Sequence, residues 1–208
     1  MPAPRKLSDD DLLATAARLF AEHGYQGTSI SMLVDELGVT RPTLYARVAS
    51  KRALFDAVYE RAMAWYEARL PALVRDGDPP LTRLRGIVVL QLEAIAALRE
   101  SITLLRFAPI VEPRPAWRRW WRRLDDRLLA IIEAARADGS LAPEVDPVVC
   151  KHAVWAIVND LPNWYRPSGS LPVDGVADQI VALLATAAVP EAKIPPSRRP
   201  EIGIATPA

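Results

Sequence analysis

The chain has 208 residues, half of them hydrophobic, and its 26 basic and 25 acidic side chains leave a net charge of +1 at pH 7. This composition suffices for one or two ordinary domain cores, and a net charge this close to zero neither indicates nor excludes a nucleic-acid partner. The single cysteine, Cys150, excludes an internal disulfide and suits the cytoplasm, where we expect the protein. We find no secretion signal and no apolar run near the roughly 20 residues that cross a bilayer, so we expect no membrane partner.

The first predicted helix begins at Ser8. Three aspartates follow this serine and place negative charge in the first helical turn, where the helix dipole favours it. The helix should bury an apolar face that includes Leu12, Ala16 and Phe20, and it should end at Gly24. We interpret this helix as a brace for the elements that follow it.

Two short helices are predicted between Thr28 and Lys51. In the first, Ile30, Leu33, Val34 and Leu37 recur at helical spacing, and Ser29 or Ser31 can cap its start. Gly38 is suited to a left-handed turn, after which Thr40 can cap a second helix over about residues 41–48. A pair of helices joined by a glycine turn predicts a helix-turn-helix.

The second of these helices should turn Arg41, Thr43 and Tyr45 outward while Leu44 and Val48 face the first helix. Side chains of this kind on a short, supported helix suit the major groove of DNA. The alternative is a pair of helices in an all-helical protein that never touches DNA. Residues 1–55 hold seven basic and six acidic side chains, so affinity would have to come from a few placed groups and from dimerisation.

The residue pattern of the rest of the chain predicts further helices. Ser50 should cap a long helix that ends near Val74, and Glu100 and Ser101 should separate the two helices after it. No strand pattern appears, and the predicted fold is all-helical. The later helices are predicted over residues 81–98, 102–107, 116–137, 148–164 and 172–189. The proline-rich segment 190–208 should be disordered.

Large aromatic side chains concentrate between residues 107 and 165. This favours an apolar pocket with a polar rim, whereas the alternative is that each ring simply completes the core. The predicted ligand-contacting residues are Phe107, Trp117, Trp121, Trp155, Asn159, Asn163, Trp164 and Arg166, with Asp160 as a further rim candidate.

The run from Arg118 to Arg123 alternates basic and aromatic residues. At helical spacing Trp117, Trp121 and Leu124 share one side and the arginines spread over the others, so we interpret the run as a charged helix face with buried tryptophans. A coenzyme A phosphate could also meet these arginines near the mouth of a pocket.

Four segments carry a resemblance to a known family. They read GYQGTSI from Gly24, LVDELGVT from Leu33, PTLY from Pro42 and SKRALF from Ser50. Together, over about residues 8–58, they resemble the N-terminal domain of TetR-family bacterial transcriptional regulators. The chain departs from the family pattern after Tyr45, where Arg47 replaces an aromatic or histidine and Val48 replaces a phenylalanine.

The resemblance implies a three-helix DNA-binding domain at residues 1–50 and a helical ligand-binding and dimerisation domain at residues 51–189. It implies an operator of double-stranded DNA, a homodimer built from the last two helices, and a small hydrophobic effector. Arg47 would meet a phosphate through its full charge, and Lys51 would anchor a phosphate at a helix start. The implied DNA contacts are Thr28, Thr40, Arg41, Thr43, Tyr45, Arg47 and Lys51.

The segment WYRPSG from Trp164 resembles a signature at the end of the eighth helix in TetR regulators that sense acyl-CoA thioesters. The resemblance implies that Trp164 packs on an acyl or ring system and that Arg166 pairs with a phosphate or carboxylate. The alternative is a helix end that Pro167 stops, with Arg166 on the last carbonyl groups.

Enzyme chemistry has little support in the sequence. Cys150 and His152 lie two positions apart on a predicted helix and point in different directions, and we find no phosphate-binding glycine loop. We therefore expect no cofactor, no metal and no catalytic residue. The function we predict is a dimeric, ligand-responsive transcriptional repressor. The alternatives are a helical module that binds apolar ligands or a protein without acting on DNA and, much weaker, a small enzyme.

Overall fold

The computed structural model describes residues 7–107 and 114–185, and over these ranges every regular element is an α-helix. This confirms the all-helical fold class. Eight helices are described: α1 Asp9–Gly27, α2 Ile30–Leu37, α3 Arg41–Tyr45, α4 Lys51–Leu73, α5 Pro80–Phe107, α6 Pro115–Ala137, α7 Pro147–Trp164 and α8 Val173–Ala185.

Side-chain caps fix the starts of the N-terminal helices. The Ser8 hydroxyl accepts from the Asp11 amide at 3.0 Å, and Ser29, rather than Ser31, caps α2 by accepting from the Met32 amide. Gly38 ends α2 in the left-handed conformation, with φ 63° and ψ 34°. The chain then turns at once into α3, which Thr40 caps. α3 ends at Tyr45, three residues before its predicted end.

Gly24 interrupts α1 as predicted but does not end it. Its φ of 69° and ψ of 171° break the helical path, and helical residues resume as far as Gly27. α5 likewise consists of two helical stretches joined across a kink at Leu98, where φ is −141° and ψ is 35°, so the predicted end of the first stretch near residue 98 is confirmed. Glu100 and Ser101 lie beyond this bend and are helical.

The C-terminal helices keep their predicted starts closely. Asp146 caps α7 by accepting from the amides of Val148 and Val149, each at 2.9 Å. Gly139 follows α6 with a φ of 81°. The side chain of Phe107 and the whole of the predicted tail, residues 190–208, lie outside the described residues.

α5 forms the centre of the packing. It contacts α1, α4, α6, α7 and α8, so it joins the N-terminal helices to the rest of the chain. α4 and α5 approach so closely that a Cβ atom on Gly86 would lie 1.9 Å from the carbonyl oxygen of Leu73. Arg85 of α5 also holds α8 through ion pairs of 2.6 Å to Asp174 and to Asp178. A search of the described helices finds none with the length and apolarity of a membrane span.

Candidate functional site

The outward face of α3 is the first candidate site. Leu44 is fully buried, which fixes the rotation of the helix and leaves Arg41, Thr43 and Tyr45 exposed, with half of the Tyr45 surface accessible to solvent. The predicted orientation of these side chains is therefore correct. Val48 also takes its predicted core position, at 9% exposed.

Hydrogen bonds within the two short helices hold this face in place. The hydroxyls of Thr40 and Thr43 lie 2.9 Å apart, and Arg41 donates through Nη2 to the Ser31 hydroxyl at 2.6 Å. These bonds order the polar groups before any partner arrives. A DNA duplex would therefore meet side chains that have already lost part of their conformational freedom.

Thr28 does not fit the predicted role of a DNA-contacting side chain. The residue is 1% exposed, and its hydroxyl donates to the carbonyl oxygens of Leu19 at 3.0 Å and of Gly24 at 2.8 Å. The prediction that the Thr28 side chain contacts DNA is wrong, because burial and these two internal hydrogen bonds leave its hydroxyl without access to an outside partner.

Arg47 and Lys51 both have partners inside the chain. Arg47 donates through Nη1 to the Asp9 carboxylate at 2.8 Å. The Lys51 ammonium donates to the carbonyl oxygens of Tyr25 at 2.8 Å and Thr28 at 2.9 Å, and it lies 4.5 Å from the centre of the Tyr25 ring. Lys51 therefore fixes the connection between α1 and α2 and keeps one N–H for an outside acceptor.

A second candidate site is a small cavity between α4, α5, α6 and α7. Its volume is about 20 Å³, enough for about one water molecule. Three of the predicted ligand residues, Trp121, Trp155 and Asn159, lie on its wall. The other lining residues are Tyr66, Ile87, Leu90, Gln91, Leu124 and Val158.

Sequence reasoning missed the polar pair at this cavity. The Tyr66 hydroxyl donates to Oε1 of Gln91 at 2.6 Å, and burial raises the pKa of Tyr66 far above its ordinary value. The hydroxyl is thus a stable neutral donor. The available signal was Gln91 itself, a polar residue inside the apolar run of α5.

Asp125 lies beside the same wall. Trp155 donates through Nε1 to one of its carboxylate oxygens at 2.8 Å, and Lys151 donates to the other at 2.7 Å. Burial opposes ionisation of Asp125, but the two hydrogen bonds and the Lys151 charge outweigh it and hold the pKa below the ordinary value. The indole of Trp155 is therefore oriented by an ionised carboxylate.

Trp117 belongs to the contact between α4 and α6 rather than to the cavity wall. It is 4% exposed, and its ring stacks on Tyr59 with 3.7 Å between the ring centres. The Tyr59 hydroxyl in turn accepts a hydrogen bond from the indole of Trp121. Burial raises the pKa of Tyr59, partly offset by this hydrogen bond, so the hydroxyl stays protonated at neutral pH. Tyr59 thus links α4 directly to a residue that lines the cavity.

A buried acidic residue of α4 also connects α4 to the start of α6. Asp56 of α4 is nearly buried and accepts from Arg52 at 2.8 Å and from Nε of Arg114 at 2.9 Å. Arg114, which precedes α6, also reaches Glu60 at 2.9 Å. These charges tie α4 to the start of α6.

The WYRPSG segment lies apart from the cavity. Trp164 is 47% exposed and shares an open surface groove with Arg166. Arg166 donates to the carbonyl oxygen of Tyr165 at 3.0 Å, as the helix-end alternative predicts. Asn163 is also exposed and donates to Asp160 at 2.6 Å. Three of the predicted ligand residues therefore line the cavity, Trp117 lies in the α4–α6 contact, and Trp164 and Arg166 share this groove. Asn163 lies in neither the cavity nor the groove.

Within residues 7–107 and 114–185, no group of three histidine, cysteine, aspartate or glutamate side chains comes together to hold a metal ion. Cys150 is buried, and burial raises the pKa of its thiol. A thiol of this kind is a poor nucleophile.

Comparison with known proteins identifies the family. Residues 12–58 match the model of bacterial regulatory proteins of the tetR family, and residues 77–188 match that of the tetracyclin repressor-like C-terminal domain. The HTH-type transcriptional repressor KstR2 of Rhodococcus jostii is 26% identical over 189 residues, covering 84% of this chain and 87% of the relative. The repressor ComR of Escherichia coli is 39% identical over 66 residues, 32% of this chain and 31% of the relative.

Solved structures agree on the fold. The ketosteroid transcriptional regulator KstR2 of Mycobacterium tuberculosis has a TM-score of 0.76 at 24% identity, covering 89% of this chain and 97% of that one. AibR, in complex with isovaleryl coenzyme A and operator DNA, has a TM-score of 0.72 at 24% identity, covering 84% and 96%. With both domain models matched in order, the chain belongs to the TetR family of bacterial regulatory proteins and is a DNA-binding transcriptional regulator.

Proposed function

We propose that the protein is a dimeric repressor that binds operator DNA through α2 and α3 and releases it when a hydrophobic effector binds the C-terminal helices. Residues 1–50 form the DNA-binding domain in this proposal, and residues 51–189 form the effector-binding and dimerisation domain. The observation that carries it is the exposed face of α3, where Arg41, Thr43 and Tyr45 stand on a helix anchored by buried Leu44.

The proposed DNA contacts divide by chemistry. Arg41 and Thr43 carry hydrogen-bonding groups that can read base edges, whereas Thr40, at the start of α3, is placed for a phosphate. Tyr45 offers a hydroxyl and a ring face. Arg47 and Lys51 are cations whose present partners, Asp9 and two carbonyl groups, compete with phosphate. The contacts we propose are therefore Thr40, Arg41, Thr43, Tyr45, Arg47 and Lys51.

The dimer interface we propose lies on α7 and α8. Val149 is 67% exposed and Leu183 is 69% exposed, so both helices leave apolar side chains uncovered on the single chain. Ala153 and Ala156 lie on the exposed side of α7 and are small enough for a second helix to approach closely. A dimer would place two copies of α3 on a pseudo-palindrome about one DNA turn apart, which raises affinity through effective concentration.

The proposed effector is an acyl-CoA thioester. Its support is the WYRPSG resemblance and the family relative AibR, whose structure holds isovaleryl coenzyme A. The cavity of about 20 Å³ is too small for an acyl chain, so entry requires side chains of its wall to move, and we infer that Trp121 is one of them. Trp121 donates to Tyr59 of α4, and its displacement would therefore reach the helix that follows the reading pair.

A mobility-shift experiment tests the proposal. Purified protein is mixed at low salt with DNA from around its own gene, with and without octanoyl-CoA. We expect a retarded protein–DNA complex that dissociates when octanoyl-CoA is added. An effector that prefers the DNA-free state by about 1–3 kcal/mol lowers DNA affinity by about 5–150-fold. Absence of any retarded complex at low salt contradicts the proposed DNA function, and a complex that acyl-CoA compounds leave intact contradicts the proposed effector.

A further inference from the structure

The start of α6 carries an unusual density of positive charge. Arg118, Arg119, Arg122 and Arg123 are all exposed, and the first turn of the helix contains no acidic residue. These four cations lie within six consecutive positions and repel one another unless an anion accompanies them. The whole chain has a net charge of only +1, which makes this a local concentration rather than a general excess.

Among the described residues, three of these arginines have no carboxylate partner, whereas most of the other described arginines have one. Arg123 lies 3.9 Å from Glu67, and Arg114, just before the helix, pairs with Asp56 and Glu60. In the part of the chain that the structure describes, no carboxylate lies within 4.0 Å of the Arg118, Arg119 or Arg122 side chains. Their charges therefore remain available to an outside anion.

By helical spacing, two of the three lie on the solvent-exposed surface of α6 next to the edge that meets α7. Trp121 lines the cavity, and Asp125, one turn later, contacts α7 through Lys151 and Trp155. Arg118 precedes Trp121 by three positions, and Arg122 precedes Asp125 by three, so both lie along the α7 side of the helix. Arg119 and Arg123 are turned away from it, and Arg123 points toward α4.

We propose that Arg118 and Arg122 bind phosphate groups of the effector while its apolar part enters the cavity between Trp121 and Trp155. This inference rests on the proposed function and specifies its ligand as an apolar molecule that carries phosphate. Guanidinium groups bind phosphate through paired, charge-assisted hydrogen bonds, and two arginines one turn apart can hold a diphosphate. Asp125 does not oppose this binding strongly, because Lys151 already neutralises its carboxylate.

Calorimetric titration with two thioesters tests the assignment. Octanoyl-CoA carries the phosphates, and the octanoyl thioester of N-acetylcysteamine has the same acyl group without them. We expect the native protein to bind octanoyl-CoA at least about tenfold more tightly, since two charge-assisted contacts are added. In the double variant Arg118→Gln and Arg122→Gln this preference should disappear, while the affinity for the N-acetylcysteamine thioester stays unchanged.

The matched control is the double variant Arg75→Gln and Arg136→Gln, which removes the same charge from two exposed arginines elsewhere. It should keep the preference for octanoyl-CoA. Equal affinity of the native protein for the two thioesters overturns the proposal, and so does native-like octanoyl-CoA binding by the Arg118 and Arg122 variant.

The remaining outcomes separate this inference from the proposed function. Failure of both thioesters to bind overturns the inference and the proposed effector together, whereas the mobility shift of the unliganded protein reports DNA binding by itself. A loss of DNA affinity and of its salt dependence in the Arg118 and Arg122 variant, with thioester binding intact, assigns these arginines to DNA and overturns the proposal.

Discussion

Single side chains decide which cations of the N-terminal helices are available to DNA. Arg41 is hydrogen-bonded to a neutral serine, whereas Arg47 is held by the Asp9 carboxylate. Lys51 donates two of its three N–H groups to carbonyl oxygens. A charge count over residues 1–55 treats these three cations alike, but their partners make them different.

Lys51→Ala should weaken binding to every DNA sequence alike. It removes the phosphate contact that we propose for Lys51, so the slope of log affinity against log salt should fall by about one. The loss of two hydrogen bonds should also lower the free energy of unfolding by about 1–2 kcal/mol. Titrations at several salt concentrations and a thermal melt measure the two effects, with Arg75→Ala as the control. An unchanged salt slope would remove Lys51 from the DNA contacts.

Asp9→Asn should strengthen DNA binding. The substitution releases Arg47 from its 2.8 Å ion pair, and the pair is exposed enough that its loss costs the fold at most about 1 kcal/mol. The freed guanidinium can then meet a phosphate, and the salt slope should rise by about one. Asp10→Asn is the control, because Asp10 pairs with Arg61 instead. Equal DNA affinity in the two variants would show that Arg47 does not meet DNA.

The ends of the helices could be predicted from sequence because they depend on neighbouring residues. The hydroxyl groups of Ser8, Thr40 and Ser50 each accept a hydrogen bond from the backbone amide three positions later. Gly38 adopts the left-handed conformation that ends α2. The positions of the tryptophans could not be predicted in the same way. Trp117 and Trp121 lie four positions apart on one helix face, yet Tyr59 covers the first and the cavity borders the second. The spacing of residues along α6 gives no information about the neighbouring helix, and it is that helix which determines what covers each ring.

The close contact between α4 and α5 leaves no room for a side chain at Gly86. In Gly86→Ala the new Cβ atom would lie 1.9 Å from the Leu73 carbonyl oxygen, so the two helices must move apart. We expect a loss of about 1–3 kcal/mol or more in the free energy of unfolding, measured by urea titration. Gly77→Ala is the control, since its Cβ atom would meet nothing within 4 Å. A native-like unfolding midpoint for Gly86→Ala would contradict this packing.

Tyr59→Phe should separate effector binding from DNA release. The variant keeps the ring that stacks on Trp117 but removes the hydroxyl that accepts from Trp121. We expect octanoyl-CoA affinity to change little and the ratio of DNA affinities without and with octanoyl-CoA to fall by about threefold or more, within the usual range of coupling energies. Parallel calorimetry and mobility-shift titrations measure the two quantities. An unchanged ratio would show that the coupling bypasses this hydrogen bond.

At the scale of the whole molecule, the exposed apolar residues of α7 and α8 are the feature that the single chain does not explain. Leu183 and Val149 are both more than two thirds exposed, although the core of the same domain buries smaller side chains fully. The family resemblance of the sequence already implied a homodimer built from these two helices.

Leu183→Arg should convert the proposed dimer to monomers. A charged side chain in an apolar interface loses hydration without gaining a partner, which costs several kcal/mol per dimer. Light scattering after size-exclusion chromatography measures the mass, and operator affinity should fall by about 100-fold with it. Ala130→Arg, on an exposed position of α6, adds the same charge elsewhere and should leave both unchanged. A dimeric Leu183→Arg variant would place the interface on another surface.

The two indoles on the cavity wall give the protein an optical signal of its own. Trp121 and Trp155 lie with their ring centres 6.5 Å apart, and each donates its N–H to an oxygen of the protein. A molecule entering between them must change the polarity around both rings. Effector capture should therefore be visible as a change in intrinsic fluorescence, without any attached dye.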